Sequence, residues 1–170
     1  MRFLPIFVLT ASSILGADPI VSAFKSRYET AKLNFIESAA AMPAEFIEYK
    51  LTPEQRSFRE WITHTAGMNY SVCAAMAGKP VPPHEASKAA TKPAMEQAIV
   101  ESFSYCDSVL QSMTDAQALS EVTIGSRKIV PVDSMIGYIA SVNAHYGNIV
   151  GYMRVKGVVP PSTARVAKKK

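Results

Sequence analysis

The sequence predicts an all-α fold, a four-helix bundle with a long crossover before the fourth helix. Three observations carry that expectation. Apolar residues recur at helical spacing in four long segments. Proline, glycine and capping residues punctuate the joins. Alternating β-branched residues are confined to one short stretch, Val122–Val130 around Gly125-Ser126, which leaves room for a small hairpin inside the crossover. A chain of 170 residues, 48% hydrophobic and 19% charged, suits one core. Four amphipathic stripes joined by three connections bury one another most economically as a bundle.

The first helix is expected from Pro19 to about Met42, with Phe24, Tyr28, Ala31, Phe35, Ile36 and Ala39 at core spacing and Met42-Pro43 as its end. Phe46, Ile47 and Tyr49 in the following connection, Ala44–Leu51, should fold back over the core. Thr52-Pro53 reads as the start of the second helix, with Thr52 as N-cap, Pro53 in the first helical position and Gln55 as a capping-box partner. That helix should reach Ala77, where Gly78-Lys79-Pro80 stops it, and His84 then falls in a solvent-facing loop after Pro80–Pro83. Pro93 opens a third helix to about Met113, with Met95, Ile99, Phe103, Cys106 and Leu110 facing inward. Segment 114–131 is the least regular. Pro131 begins the fourth helix, which carries Tyr138, Val142, His145, Tyr146, Ile149 and Tyr152 before Gly157 ends it.

Residues 1–17 read as a secretory signal peptide: Arg2 is the only charge before Asp18, an apolar run spans Phe3–Leu15, and small residues follow. The run is too short to span a bilayer, for which about 20 apolar residues are needed. No integral membrane anchor is therefore expected after cleavage. Cleavage after Ala17 leaves Asp18-Pro19 as the mature start, and Val21-Ser-Ala23 is the competing site. The bundle is then 18–163, and 164–170 is a basic tail expected to be disordered, with Arg165, Lys168, Lys169 and Lys170. The net charge of +4 falls to +3 when Arg2 leaves, and the tail accounts for all of it. A near-neutral body has no nucleic-acid footprint.

Export to a periplasmic or extracellular space changes the reading of the two cysteines, Cys73 and Cys106. Each sits on the apolar side of adjacent expected helices, and an oxidising compartment favours a disulfide between them, with two buried free thiols as the alternative.

His64 and His145 lie on amphipathic helices two apart in order, a layout that suggests one site between helices. The plainer reading is a pair of buried neutral imidazoles bonded to Ser141, Tyr70 or Tyr138. Glu60, one turn before His64, is either an orienting partner or a surface residue. The chain has no Gly-rich phosphate loop, HExxH, GxSxG or CxxC, so nucleotide, protease, hydrolase and thioredoxin-like chemistry have no motif behind them.

Ser57-Phe-Arg-Glu-Trp-Ile-Thr-His64 with Asn69-Tyr-Ser-Val-Cys73, together with His145-Tyr-Gly-Asn-Ile-Val-Gly-Tyr-Met-Arg154 and Gly157-Val-Val-Pro-Pro-Ser162, resembles the DinB-like four-helix-bundle superfamily. The resemblance implies a divalent metal, zinc or nickel, held by one histidine on the second helix and two on the fourth, four residues apart. His64 matches the first and His145 the last, and Ser141 stands at the third-ligand position, where serine is a poor ligand beside imidazole. Asn69, Asn143 and Asn148 are the other oxygens within reach on those helices. The resemblance also implies a homodimer. Two functions follow: an exported binding or structural module that lacks the full three-histidine set and takes an unidentified small-molecule ligand, or a metal-dependent hydrolase or thiol-transferase-like enzyme at the same site.

Overall fold

Four long helices, α1 (Pro19–Ala41), α2 (Phe58–Met76), α3 (Lys92–Gln111) and α5 (Pro131–Val155), bury their apolar stripes against one another. The computed structural model describes residues 18–168, so the expected signal segment 1–17 lies outside the described residues. Around the bundle the order is α1, α3, α2, α5: α2 packs between α3 and α5, and α1 closes the ring against both. Helix α1 is therefore diagonal to α2, and α3 to α5. The connection between α3 and α5 crosses the bundle as the sequence predicts, and the connection between α1 and α2 crosses it too.

The second crossover holds a short helix, α4 (Asp115–Leu119), and the expected hairpin, β1 (Val122–Ile124) against β2 (Arg127–Ile129). Gly125 at φ 62° occupies the first of the two turn positions, where a type II′ turn requires a positive φ that L side chains resist. The first crossover folds back as expected, with Ile47 buried and Phe46 and Tyr49 packed against the core.

Two expectations are corrected. Helix α2 starts at Phe58, not near Pro53: Ser57 is the N-cap, its hydroxyl accepts from Glu60 N, and the Glu60 carboxylate accepts from Ser57 N at 2.6 Å. This reciprocal capping box satisfies two orphan donors, whereas Thr52–Gln55 closes only an isolated turn. Glu60 is thereby committed to the helix end. The second correction concerns the tail, which is helical through Ala167 in α6 (Pro161–Ala167). Arg165 bonds Glu37 and Asn34 of α1, and the Tyr146 hydroxyl donates to Ser162 Oγ at 2.9 Å while accepting from Ser162 N at 3.1 Å. A cation with dedicated partners has lost its reason to remain solvated and mobile.

The α2–α3 seam is sealed by polar as well as apolar groups. Asn69 Nδ2 donates to Ser102 Oγ at 3.0 Å, Tyr138 Oη donates to Asn69 Oδ1 at 3.0 Å, and Ser102 passes its own proton to Ile99 O at 2.8 Å. One turn farther along both helices, Cys73 and Cys106 lie at disulfide distance, with Cα atoms 5.3 Å apart and both side chains buried.

Just beyond the C-terminal end of α3, Asp18 and Asp115 cap each other's helices. Ile20 N and Val21 N donate to the Asp115 carboxylate at 3.0 and 2.9 Å, and Asp115 N donates to Asp18 Oδ1 at 2.7 Å. Among the described residues no helix is long and apolar enough to cross a membrane.

Candidate functional site

Helix α2 turns Asn69 and Cys73 toward α3 and Trp61, His64 and Thr65 toward α5. There His64 and His145 meet with ring centroids 5.0 Å apart, and Trp61 completes an aromatic cluster at 5.2 Å from His145 and 6.2 Å from His64. His64 is exposed and His145 half-buried.

The hydrogen bonds assign the tautomer of His145. Thr65 Oγ1 has one proton and donates it to Trp61 O at 2.9 Å, so at 3.3 Å it can only accept from His145 Nδ1–H. Nε2 of His145 is left with its lone pair free, the orientation that makes an imidazole a ligand or a base. Desolvation lowers the pKa of both histidines, with Arg56 adding to the effect at His64, and His64 and then Arg56 adding to it at His145. Burial thus favours the neutral form of both rings.

Arg56 stands over the Trp61 ring, its guanidinium carbon 5.1 Å from the centroid. Its backbone is pinned from α5, because Tyr152 Oη donates to Arg56 O at 2.5 Å. An open groove of about 870 Å³ runs past this corner, and Lys50, Glu54, Arg56, Arg59, His64 and His84 line it. Trp61 Nε1 is buried with no hydrogen-bond partner in the protein. Such an orphan donor costs roughly 1–3 kcal/mol.

The other residues singled out from sequence are placed elsewhere. Tyr138 and Asn69 bond each other in the core and serve neither histidine. Asn143 and Asn148 turn their amides back to Ile139 O and Ala144 O of their own helix. Tyr70 stacks on His84, centroids 4.4 Å apart and planes within 8°. His84 is therefore half-buried with an unpartnered Nδ1, not a free loop residue, because the aromatic face of Tyr70 holds it down. Sequence reasoning missed Thr65, the residue that bonds His145, and also missed Arg56.

No family model matches this chain, and no curated protein matches it in sequence. Among solved structures it is similar to a DinB-like protein from Bacillus cereus, with a TM-score of 0.65 and 15% identity over 82% of this chain and 95% of that one. A DinB-like protein from Bacillus subtilis, YjoA, superposes with a TM-score of 0.62 and 18% identity over 82% of this chain and 92% of that one. The chain has the DinB-like fold.

Within this DinB-like fold the donor set can be compared with what a three-histidine metal site needs. The chain supplies two imidazoles, with His145 oriented by Thr65 and His64 open to solvent. Ser141 stands half-buried one turn before His145, on the same face of α5. No group of three or more His, Cys, Asp or Glu side chains that could hold a metal ion occurs among the described residues. The residues fall one strong ligand short of the usual catalytic zinc set.

Proposed function

We propose that this protein is an exported binding module on the DinB-like bundle, whose groove along the outer side of α2 takes a small molecule beside His64, the groove-lining member of the His64/His145 pair, without the full three-histidine metal set. One observation carries the reading: the His64 and His145 rings meet 5.0 Å apart beside an open groove that His64 lines, and the strong donor set there stops at two imidazoles. Export is supported by the apolar, small-residue leader and by the cysteine pair at disulfide distance. Cleavage after Ala17 fits better than cleavage after Ala23, because Val21 is 1% exposed and Ile20 N and Val21 N cap against Asp115. A cut at Ala23 would remove all three interactions.

The deciding experiment is metal content per chain in protein purified without a His tag, beside a His64→Ala/His145→Ala double variant and a Ser141→His variant. Metal-free parent protein and a Ser141→His variant that binds zinc or nickel tightly would support the module. Near-stoichiometric metal in the parent, lost in the double variant, would overturn it in favour of a metal-dependent hydrolase or thiol-transferase-like enzyme. The free Nε2 of His145 is the observation that keeps this second reading. N-terminal sequencing of exported protein should give Asp18; an intact Met1 would overturn export.

A further inference from the structure

We infer that the groove lined by Arg56 and His64 binds a small organic monoanion, a carboxylate with an apolar body, and that Arg56 is its charge anchor. The inference rests on the reading of that groove as a ligand site and adds the chemical class of the ligand.

The argument begins with the charges of the groove. Lys50 pairs with Glu60 at 3.6 Å, and Glu60 is already committed to the α2 cap. Arg59 pairs with Glu48. Arg56 lines the same groove and has no ion-pair partner among the described residues, so it is the one groove cation left uncompensated.

Its placement is built. The Tyr152 hydroxyl holds its backbone from α5, and the Trp61 face supports its guanidinium. A guanidinium held over an aromatic face keeps N–H donors available for a carboxylate. One free cation matches one negative charge, which favours a carboxylate over a phosphate dianion.

The neighbours fit the rest of such a molecule. Met68 gives apolar surface in the groove, and His64 faces it from α2. Glu54 is the opposing feature, an exposed carboxylate at the same rim that would repel an anion. Neutralising it should therefore tighten binding.

Trp61 is the only tryptophan in the chain, so its fluorescence reports on this corner directly. Metal-free protein is titrated with cyclohexanecarboxylate and with the neutral, equally sized cyclohexanecarboxamide. The expected result is saturable binding of the carboxylate, about tenfold tighter than the amide, because a charge-assisted hydrogen bond is lost with the charge. Arg56→Gln should erase that difference while leaving amide binding and the melting temperature unchanged. Arg59→Gln should leave the difference in place, and Glu54→Gln should widen it.

Equal affinity for the two probes, no saturable response to the carboxylate, or a difference that survives in Arg56→Gln would each overturn the assignment. Because metal is absent throughout, a failure here is separate from the metal-content test. Equal binding of both probes would keep the groove as a ligand site and remove only the anion.

Discussion

The two sides of α2 solve opposite problems with similar residues. Toward α3, Asn69 is 0% exposed and its amide is used in both directions, by Tyr138 and by Ser102, one turn from the cysteine pair. Toward α5, the polar groups are incompletely used: His145 has one partner at Thr65, His64 is open, Trp61 Nε1 has none, and Arg56 has no counter-ion. A buried polar network stabilises only when every member is satisfied. The α3 side meets that condition, and the α5 side leaves donors and acceptors without protein partners.

If that contrast is right, perturbing the α3 side should cost mostly stability and perturbing the α5 side mostly binding. The largest effect is expected from Cys73→Ala/Cys106→Ala. A cross-link spanning 33 residues stabilises by about 3–4 kcal/mol through the unfolded chain. Urea unfolding should show that loss, and the parent, denatured without reductant, should expose no free thiol. Two reactive thiols per chain would remove the seam's covalent part.

Asn69→Ala comes next, at about 2–3 kcal/mol, because the Tyr138 hydroxyl is left buried without its acceptor and Ser102 loses a donor. The same urea series measures it, and a loss below about 1 kcal/mol would mean the network is not cooperative. On the α5 side, Thr65→Val should cost only about 1 kcal/mol. Its sharper signature is in nitrogen NMR, where the Nδ1-protonated tautomer of His145 should lose its dominance. An unchanged tautomer ratio would show that Thr65 does not orient the ring.

The smallest effect is on pH dependence. His64 and His145 have folded pKa values below their unfolded ones, so below about pH 6.5, the ordinary histidine value, the unfolded chain takes up protons that the folded chain resists. Their contribution is intact above that pH and declines as pH falls toward the folded values. A His64→Gln/His145→Gln variant should show a flatter stability profile between about pH 5 and 7. A parent that gains stability on acidification through that window would contradict the sign.

Much of this molecule was legible before its fold was known. The helical spacing in four segments, Met42-Pro43, Gly78 and Gly157 as stops, and Gly125-Ser126 between two β-branched runs each mark local backbone choices, and the structure follows them. The start of α2 was equally local yet misread: Ser57-Phe-Arg-Glu60 and Thr52-Pro-Glu-Gln55 both carry a capping-box spacing. Only Ser57, 0% exposed where the crossover meets the core, closes the box.

The candidate site was half legible. His64 and His145 could be paired from helix order and from the resemblance. Thr65 could not be chosen as the partner of His145, since nothing local separates it from Thr63. Arg56 and Arg59 look alike in sequence until Glu48 takes one and Trp61 the other.

By itself, then, the chain's sequence determined where helices begin and end, which stripes are apolar, and that two cysteines and two histidines lie on facing elements. These depend on dihedral preference, hydrogen bonds a few residues apart and the period of burial, all short-range properties. Tertiary structure alone decided that α1 and α2 are diagonal, that Asp18 and Asp115 cap each other across the fold, and that one imidazole has a partner while a guanidinium has none. Those outcomes depend on which side chains arrive within about 3 Å of one another across the bundle, and hydrogen bonds and ion pairs are decided at that distance.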